Sequence, residues 1–146
     1  MKRYYPQLLV FLQFGIIIVM VVTAMLTFYF SWLGLLILLI GIGIGIWALS
    51  HNQLGNFNIV PELKEGCCLV TSGIYRYIRH PMYTSVILML LGVALFSTLS
   101  VIWVLWGLLV VVLYLKASRE ERLWLAYDPS YEHYRLRTKY FIPYIL

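Results

Sequence analysis

The chain has 146 residues, of which 62% are hydrophobic and 12% charged, with a formal net charge of +5 and a mean hydropathy of +0.87. Its length fits one domain, and its apolar balance excludes an ordinary water-soluble globule or a disordered chain. The basic residues stand beside apolar runs and form no free basic surface. The positive excess therefore reads as membrane orientation and attraction to anionic headgroups, and a nucleic-acid partner is not expected.

About twenty apolar residues cross the roughly 30 Å hydrocarbon layer of a bilayer. Four segments meet or approach that length: residues 8–30, 33–49, 82–96 and 101–115. The first and second are separated by only a few residues, as are the third and fourth, which predicts two antiparallel helical hairpins. The expected fold is all-α and membrane-integral, with four transmembrane helices in two hairpins and an interfacial C-terminal helix in the tail, residues 116–146. All eleven Lys and Arg lie at the N-terminus, in the central loop or in the tail. With four spans those three places share one side, which the positive-inside rule makes cytoplasmic.

Met1-Lys2-Arg3 before an apolar run resembles a signal peptide. The run is too long for one and has no small-residue cleavage site, so it reads as a retained first helix. Tyr4 and Tyr5 suit an interfacial anchor. Gln13 is the notable polar side chain of this span and reads as a helix–helix hydrogen bond. In the second span Gly34, Gly41, Gly45 and Ala48 fall near one helical face. They predict close approach of a second helix, not a nucleotide loop, because no strand precedes them.

The central loop carries turn-rich residues 54–58, a hydrophilic bend over residues 61–66, and the adjacent cysteines Cys67 and Cys68. These cysteines are neither a CxxC pair nor a zinc spacing, and no metal site is expected. The loop ends in Gly73-Ile74-Tyr75-Arg76-Tyr77-Ile78-Arg79-His80-Pro81-Met82-Tyr83, the densest polar stretch of the chain. The residue before a proline is pushed out of the α region, and proline suits the first helical position. A helix therefore starts at Pro81 or Met82, with Arg79 and His80 at its mouth and its free N–H groups able to receive an anion.

The fourth helix has strong formers and no breaker through Ala126, so it continues past the apolar span. That brings Glu120 and Glu121 to the depth of Arg79 and His80. Asp128-Pro129 predicts a helix start and a last helix from Pro129 to about Tyr140. Tyr131, Tyr134, Thr138 and Phe141 would share one of its faces, and the apolar end, residues 141–146, would touch the bilayer.

Gly73-x-Tyr75-x-x-x-Arg79-His80-Pro81-x-Tyr83, then Glu120-Glu121 after the next apolar hairpin, then Tyr131-x-x-Tyr134-x-x-Arg137 and Phe141-Ile142-Pro143, resembles the isoprenylcysteine carboxyl methyltransferase family. Membrane phospholipid N-methyltransferases are its broader relatives. The resemblance covers roughly residues 50–146. It implies a membrane methyltransferase that uses S-adenosylmethionine and takes a lipophilic substrate from the membrane, most simply for carboxyl O-methylation. Phospholipid or small-lipid N-methylation is the alternative, and the short chain points to a prokaryotic inner membrane. Carried over by position, Tyr75, Arg79, His80, Pro81, Tyr83, Glu120 and Glu121 would bind the cofactor. Arg137, Glu121 and His80 would be catalytic, Arg137 orienting a substrate carboxylate and His80 or a glutamate serving as base for an amine or thiol acceptor. Ser85 replaces a glycine common among relatives, and Asp128 stands where they often have glycine.

Two plainer classes compete. A small transporter calls for an ionisable group within a span, and none of the four segments contains one. A membrane scaffold, with Arg79 and His80 merely touching lipid phosphates and Glu120 and Glu121 on a solvated helix face, predicts no cofactor affinity.

Overall fold

The computed structural model describes residues 4–52, 59–62 and 66–143. Lys2 and Arg3, the turn at residues 54–58, residues 63–65 of the bend at 61–66 and the last three residues of the apolar tail lie outside the described residues. Among the described residues five α-helices follow in order: α1 Tyr5–Leu26, α2 Trp32–His51, α3 Pro81–Ala94, α4 Val101–Tyr127 and α5 Ser130–Arg137. A 3-10 turn at Gly73–Arg76 precedes α3. Three helices, α1, α2 and α4, are long and apolar enough to cross a membrane, and α3 is a shorter apolar helix. The fold is that of an all-helical membrane protein.

The outward faces fit a lipid surround. Phe11, Leu26 and Trp32 are each about three-quarters exposed, among many other large apolar side chains, a density that a soluble monomer does not show. Inside, Met20 and Ala24 of α1 meet Leu90 and Ala94 of α3 and Ile102, Leu109 and Leu113 of α4 in one buried cluster. The Trp106 indole N–H donates to the Ile87 carbonyl at 3.0 Å, tying α4 to α3.

The glycine face of α2 packs on α3, as its spacing predicts. A Cβ on Gly41 would stand 2.8 Å from the Met89 amide nitrogen, and one on Gly92 would stand 2.7 Å from the Gly34 carbonyl oxygen. The Ser85 hydroxyl uses this closeness to donate to the Gly41 carbonyl at 2.8 Å. Ser85 thus joins the two helices directly. Ala48, on the same face, is wholly buried.

Three boundaries differ from expectation. The first span was expected to reach residue 30, but α1 stops at Leu26. Thr27 turns its hydroxyl back to the Thr23 carbonyl and across to Ser97 at 2.7 Å, while the Tyr29 amide donates to the Phe96 carbonyl. The two interhelical loops therefore pair at this end of the bundle. The third span is only 14 residues long, about 21 Å at 1.5 Å per residue. It falls short of the bilayer's roughly 30 Å core, and its first residues, His80 and Pro81, are buried against the rest of the bundle. The last helix ends at Arg137 and not near Tyr140, because Thr138 is extended and the chain beyond it pairs in parallel with the segment before α3. There Lys139 N–H donates to the Tyr77 carbonyl, Arg79 N–H to the Lys139 carbonyl and His80 N–H to the Tyr140 carbonyl. Tyr131, Thr138 and Phe141 are buried and Tyr134 is half-buried, but Thr138 and Phe141 lie beyond the end of α5 and so do not share its helical face.

Candidate active site

α3 and α4 are antiparallel and joined by a short loop at the far end. Counting back about 21 Å along each from that loop sets Pro81 level with the region of Lys116. The residues just before Pro81 then lie level with Glu120 and Glu121. Pro81 opens α3 with His80 as its N-cap residue, so Arg79 and His80 are delivered to the carboxylates by helix geometry alone.

The Arg79 Nε donates to Glu121 Oε1 at 2.5 Å, with both side chains about 5% exposed. The same guanidinium donates through Nη1 to the Arg135 carbonyl at 3.1 Å and to the Thr138 carbonyl. It lies 4.6 Å from the centre of the Tyr140 ring. Arg79 therefore clamps α4 and the C-terminal segment to the mouth of α3. Burying an arginine is tolerable only with its donors satisfied in this way.

His80 sits between the two carboxylates, Nε2 3.3 Å from Glu121 and Nδ1 3.5 Å from Glu120. Its ring stacks between those of Tyr83 and Tyr140, with centres 5.7 and 5.6 Å away. Burial alone would lower its pKa, but the hydrogen bonds and charges of Glu120 and Glu121 outweigh that and hold it above the ordinary value. The Tyr83 hydroxyl donates to Glu120. Tyr134 donates to the Tyr75 carbonyl at 2.7 Å, and Thr84 to the Phe141 carbonyl at 2.9 Å. Burial, aided by Glu120, pushes the Tyr75 phenol up to about 12. Burial likewise raises Tyr131 and Tyr134, so all three stay neutral ring faces.

These groups surround a cavity of about 150 Å³. Its wall includes Tyr75, Arg79, His80, Pro81, Tyr83 and Glu120 from the sequence-derived set, with Tyr131 and Tyr134 from α5. Glu121 stands behind Arg79 and His80. The expected meeting of the arginine–histidine corner with the glutamate pair thus occurs. Arg137 is not brought in; it is exposed on α5 and lines no part of the cavity. Among the described residues no metal-binding cluster is present.

Several residues in or behind the wall are additions to the sequence-derived set. Trp124 lines the cavity and stacks on Tyr131, and its position one turn after Glu120 was a usable signal. Cys67 and Cys68, read as ordinary loop residues, also line it. Tyr140 covers both Arg79 and His80, a placement that depends on the unforeseen extended tail. Lys116, counted with the tail's basic residues, is buried against Gln13 of α1 at 2.6 Å. Gln13 does make the helix–helix bond expected of it.

The fold and this cavity define an integral membrane protein of the small helical-bundle type with a charged, aromatic-walled site recessed at one end. A sequence model described as phospholipid methyltransferase matches residues 29–128, which takes in α2, α3, α4 and the glutamate pair. The chain belongs to the phospholipid methyltransferase family and so to a class of membrane methyltransferases. Comparison with curated proteins gives no match.

Proposed function

We propose that this protein transfers a methyl group from S-adenosylmethionine to a lipophilic acceptor drawn from the membrane, with its termini and cavity on the cytoplasmic side. The observation that carries this reading is the convergence of Arg79, His80, Tyr83 and Glu120 on one cavity walled by aromatic rings. The donor set suits the cofactor. Tyr75, Tyr83, Trp124 and Tyr134 offer faces for an adenine ring or a sulfonium, and Glu120 offers acceptors for ribose hydroxyls or an ammonium. The start of α3, with Met82 in the wall, presents a helix N-terminus to a carboxylate. When bound, S-adenosylmethionine supplies an electrophilic methyl group and departs as the neutral thioether.

The protein's own part is to bind, orient and exclude water, since an in-line displacement needs positioning more than a covalent nucleophile. His80 is poorly suited to be the base, because two carboxylates hold its proton. An acceptor that arrives already ionised needs none. That favours carboxyl O-methylation of the isoprenylcysteine type. The family description favours the second reading, N-methylation of a phospholipid amine, in which Glu120 of the cavity wall takes the proton.

Transfer of radiolabelled methyl from S-adenosylmethionine, with a prenylcysteine analogue and a phospholipid extract as competing acceptors, separates the readings. O-methylation gives an alkali-labile ester that releases methanol; N-methylation gives a label stable to alkali. Label in neither lipid overturns both.

A further inference from the structure

Lys116 is the most deeply buried charged residue among those described, with a relative exposure of 2%. It lies on α4, one turn before Glu120. Its ammonium donates to Gln13 Oε1 of α1 at 2.6 Å and to the Ile59 carbonyl at 3.0 Å. It also lies 5.3 Å from the centre of the Tyr83 ring, within cation–π range. An ammonium has three donor directions, and these contacts use two oxygens and one aromatic face. One turn further along α4, Arg119 Nε donates to the Pro61 carbonyl at 3.2 Å. Residues 59–62 are therefore strapped to α4 by two cations three positions apart on one helical face. Glu62, at the end of that strap, lines the cavity.

A buried ammonium is costly unless its partners are retained, so packing alone does not account for a lysine here. A leucine or methionine would fill the space between α1 and α4 without needing Gln13. What a lysine adds is a cation under the Tyr83 ring and a donor for the strap. Tyr83 in turn donates to Glu120, so one ammonium sets a wall of the cavity and its rim together.

We propose that Lys116, held by Gln13, is a positioning residue for the methyl-donor site, fixing the Tyr83–Glu120 pair and seating the 59–62 strap over the cavity. The inference rests on the cavity being the cofactor site. It has a consequence that does not: loss of the ammonium frees the strap whether or not a cofactor binds.

The test compares the full-length wild type with Lys116→Met, Gln13→Leu and Gln13→Glu in detergent. Calorimetric titration with S-adenosylhomocysteine is run beside hydrogen exchange over residues 59–62 and the helices. Lys116→Met is expected to weaken binding about tenfold and to raise the donor KM with kcat held within about twofold. Strap exchange should rise with no change in α1 to α4. Gln13→Leu should do the same to a smaller degree, and Gln13→Glu, which keeps an acceptor, should restore wild-type values. Wild-type affinity and strap protection in both Lys116→Met and Gln13→Leu overturn the inference. So does exchange that rises uniformly through the helices, which marks a purely structural role. If Lys116→Met does not fold, the two Gln13 variants decide alone. If the wild type binds no S-adenosylhomocysteine, the cofactor reading fails, and the strap exchange still decides whether Lys116 positions it.

Discussion

Arg79 and Glu121, 42 positions apart in the chain, meet through Nε and Oε1 at 2.5 Å with both side chains nearly sealed from solvent. The contact joins the mouth of α3 to α4. Through Nη1 the same arginine reaches the carbonyls of Arg135 and Thr138. One guanidinium therefore closes the end of the bundle on which the cavity depends.

Breaking that pair by one partner strands a buried charge, for which the usual cost is about 3–5 kcal/mol. Glu121→Gln is expected to lower the thermal unfolding midpoint strongly and to weaken cofactor binding as the cavity loosens. Arg79→Lys should be nearly as damaging, because an ammonium cannot donate to Glu121 and to two carbonyls in the fork geometry of arginine. A midpoint for Arg79→Lys equal to wild type in a detergent melt would contradict this role.

Protonation of His80 is linked to folding. Its folded pKa is raised above the unfolded value of about 6.5 by Glu120 and Glu121 against the effect of burial. A raised pKa means the folded state holds the proton more tightly. The resulting stability is fully present below about pH 6.5 and is lost as pH rises through the folded pKa. Unfolding midpoints across that window should fall with rising pH in the wild type and fall less in His80→Gln. A steeper fall in the variant contradicts the assignment.

Tyr83→Phe keeps the ring beside His80 and Lys116 but removes the hydroxyl that Glu120 accepts from. Leaving a partly buried carboxylate short of a donor costs about 1–3 kcal/mol. The expected result is donor affinity reduced by about tenfold or more in titration, with the helical content unchanged by circular dichroism.

Gly41→Ala tests the α2–α3 contact. Its Cβ would press on the Met89 backbone, and overpacking of this kind costs about 1–3 kcal/mol. Gly43→Ala is the control, since a Cβ there meets nothing within 4 Å. The first should lower the melting midpoint and the second should not.

Arg137→Ala separates the sequence-derived role of that residue from its position. Arg137 is exposed and outside the cavity wall. The rate of methyl transfer to a carboxylate acceptor in the variant is expected to stay within about twofold of wild type. A loss of tenfold or more would show that the C-terminal segment folds inward when the site is loaded.

Much of this was legible in the chain because local rules carried it. Apolar length marked the helices, His80-Pro81 marked the start of α3, and the uninterrupted formers after Leu115 brought Glu120 and Glu121 level with Arg79. The small-residue spacing of α2 named its packing face. What was not legible depended on contacts between distant segments. The extended pairing of Lys139 and Tyr140 with residues 77–80 has no local signature, and it ends α5 early and lays Tyr140 over His80. Lys116 shows the same difficulty. At the end of an apolar run it reads as a solvated anchor, and only the placement of Gln13 and Ile59 beside it shows a buried cation.

Methyl transfer by this protein requires that the cavity between Arg79, His80 and Glu120 hold the methyl donor. The most direct measurement is calorimetric titration of the detergent-purified, folded protein with S-adenosylmethionine, beside Glu120→Ala. The account predicts saturable one-to-one binding in the wild type, reduced at least tenfold in the variant. A folded wild type that takes up no S-adenosylmethionine, or a Glu120→Ala protein that binds it equally well, contradicts it.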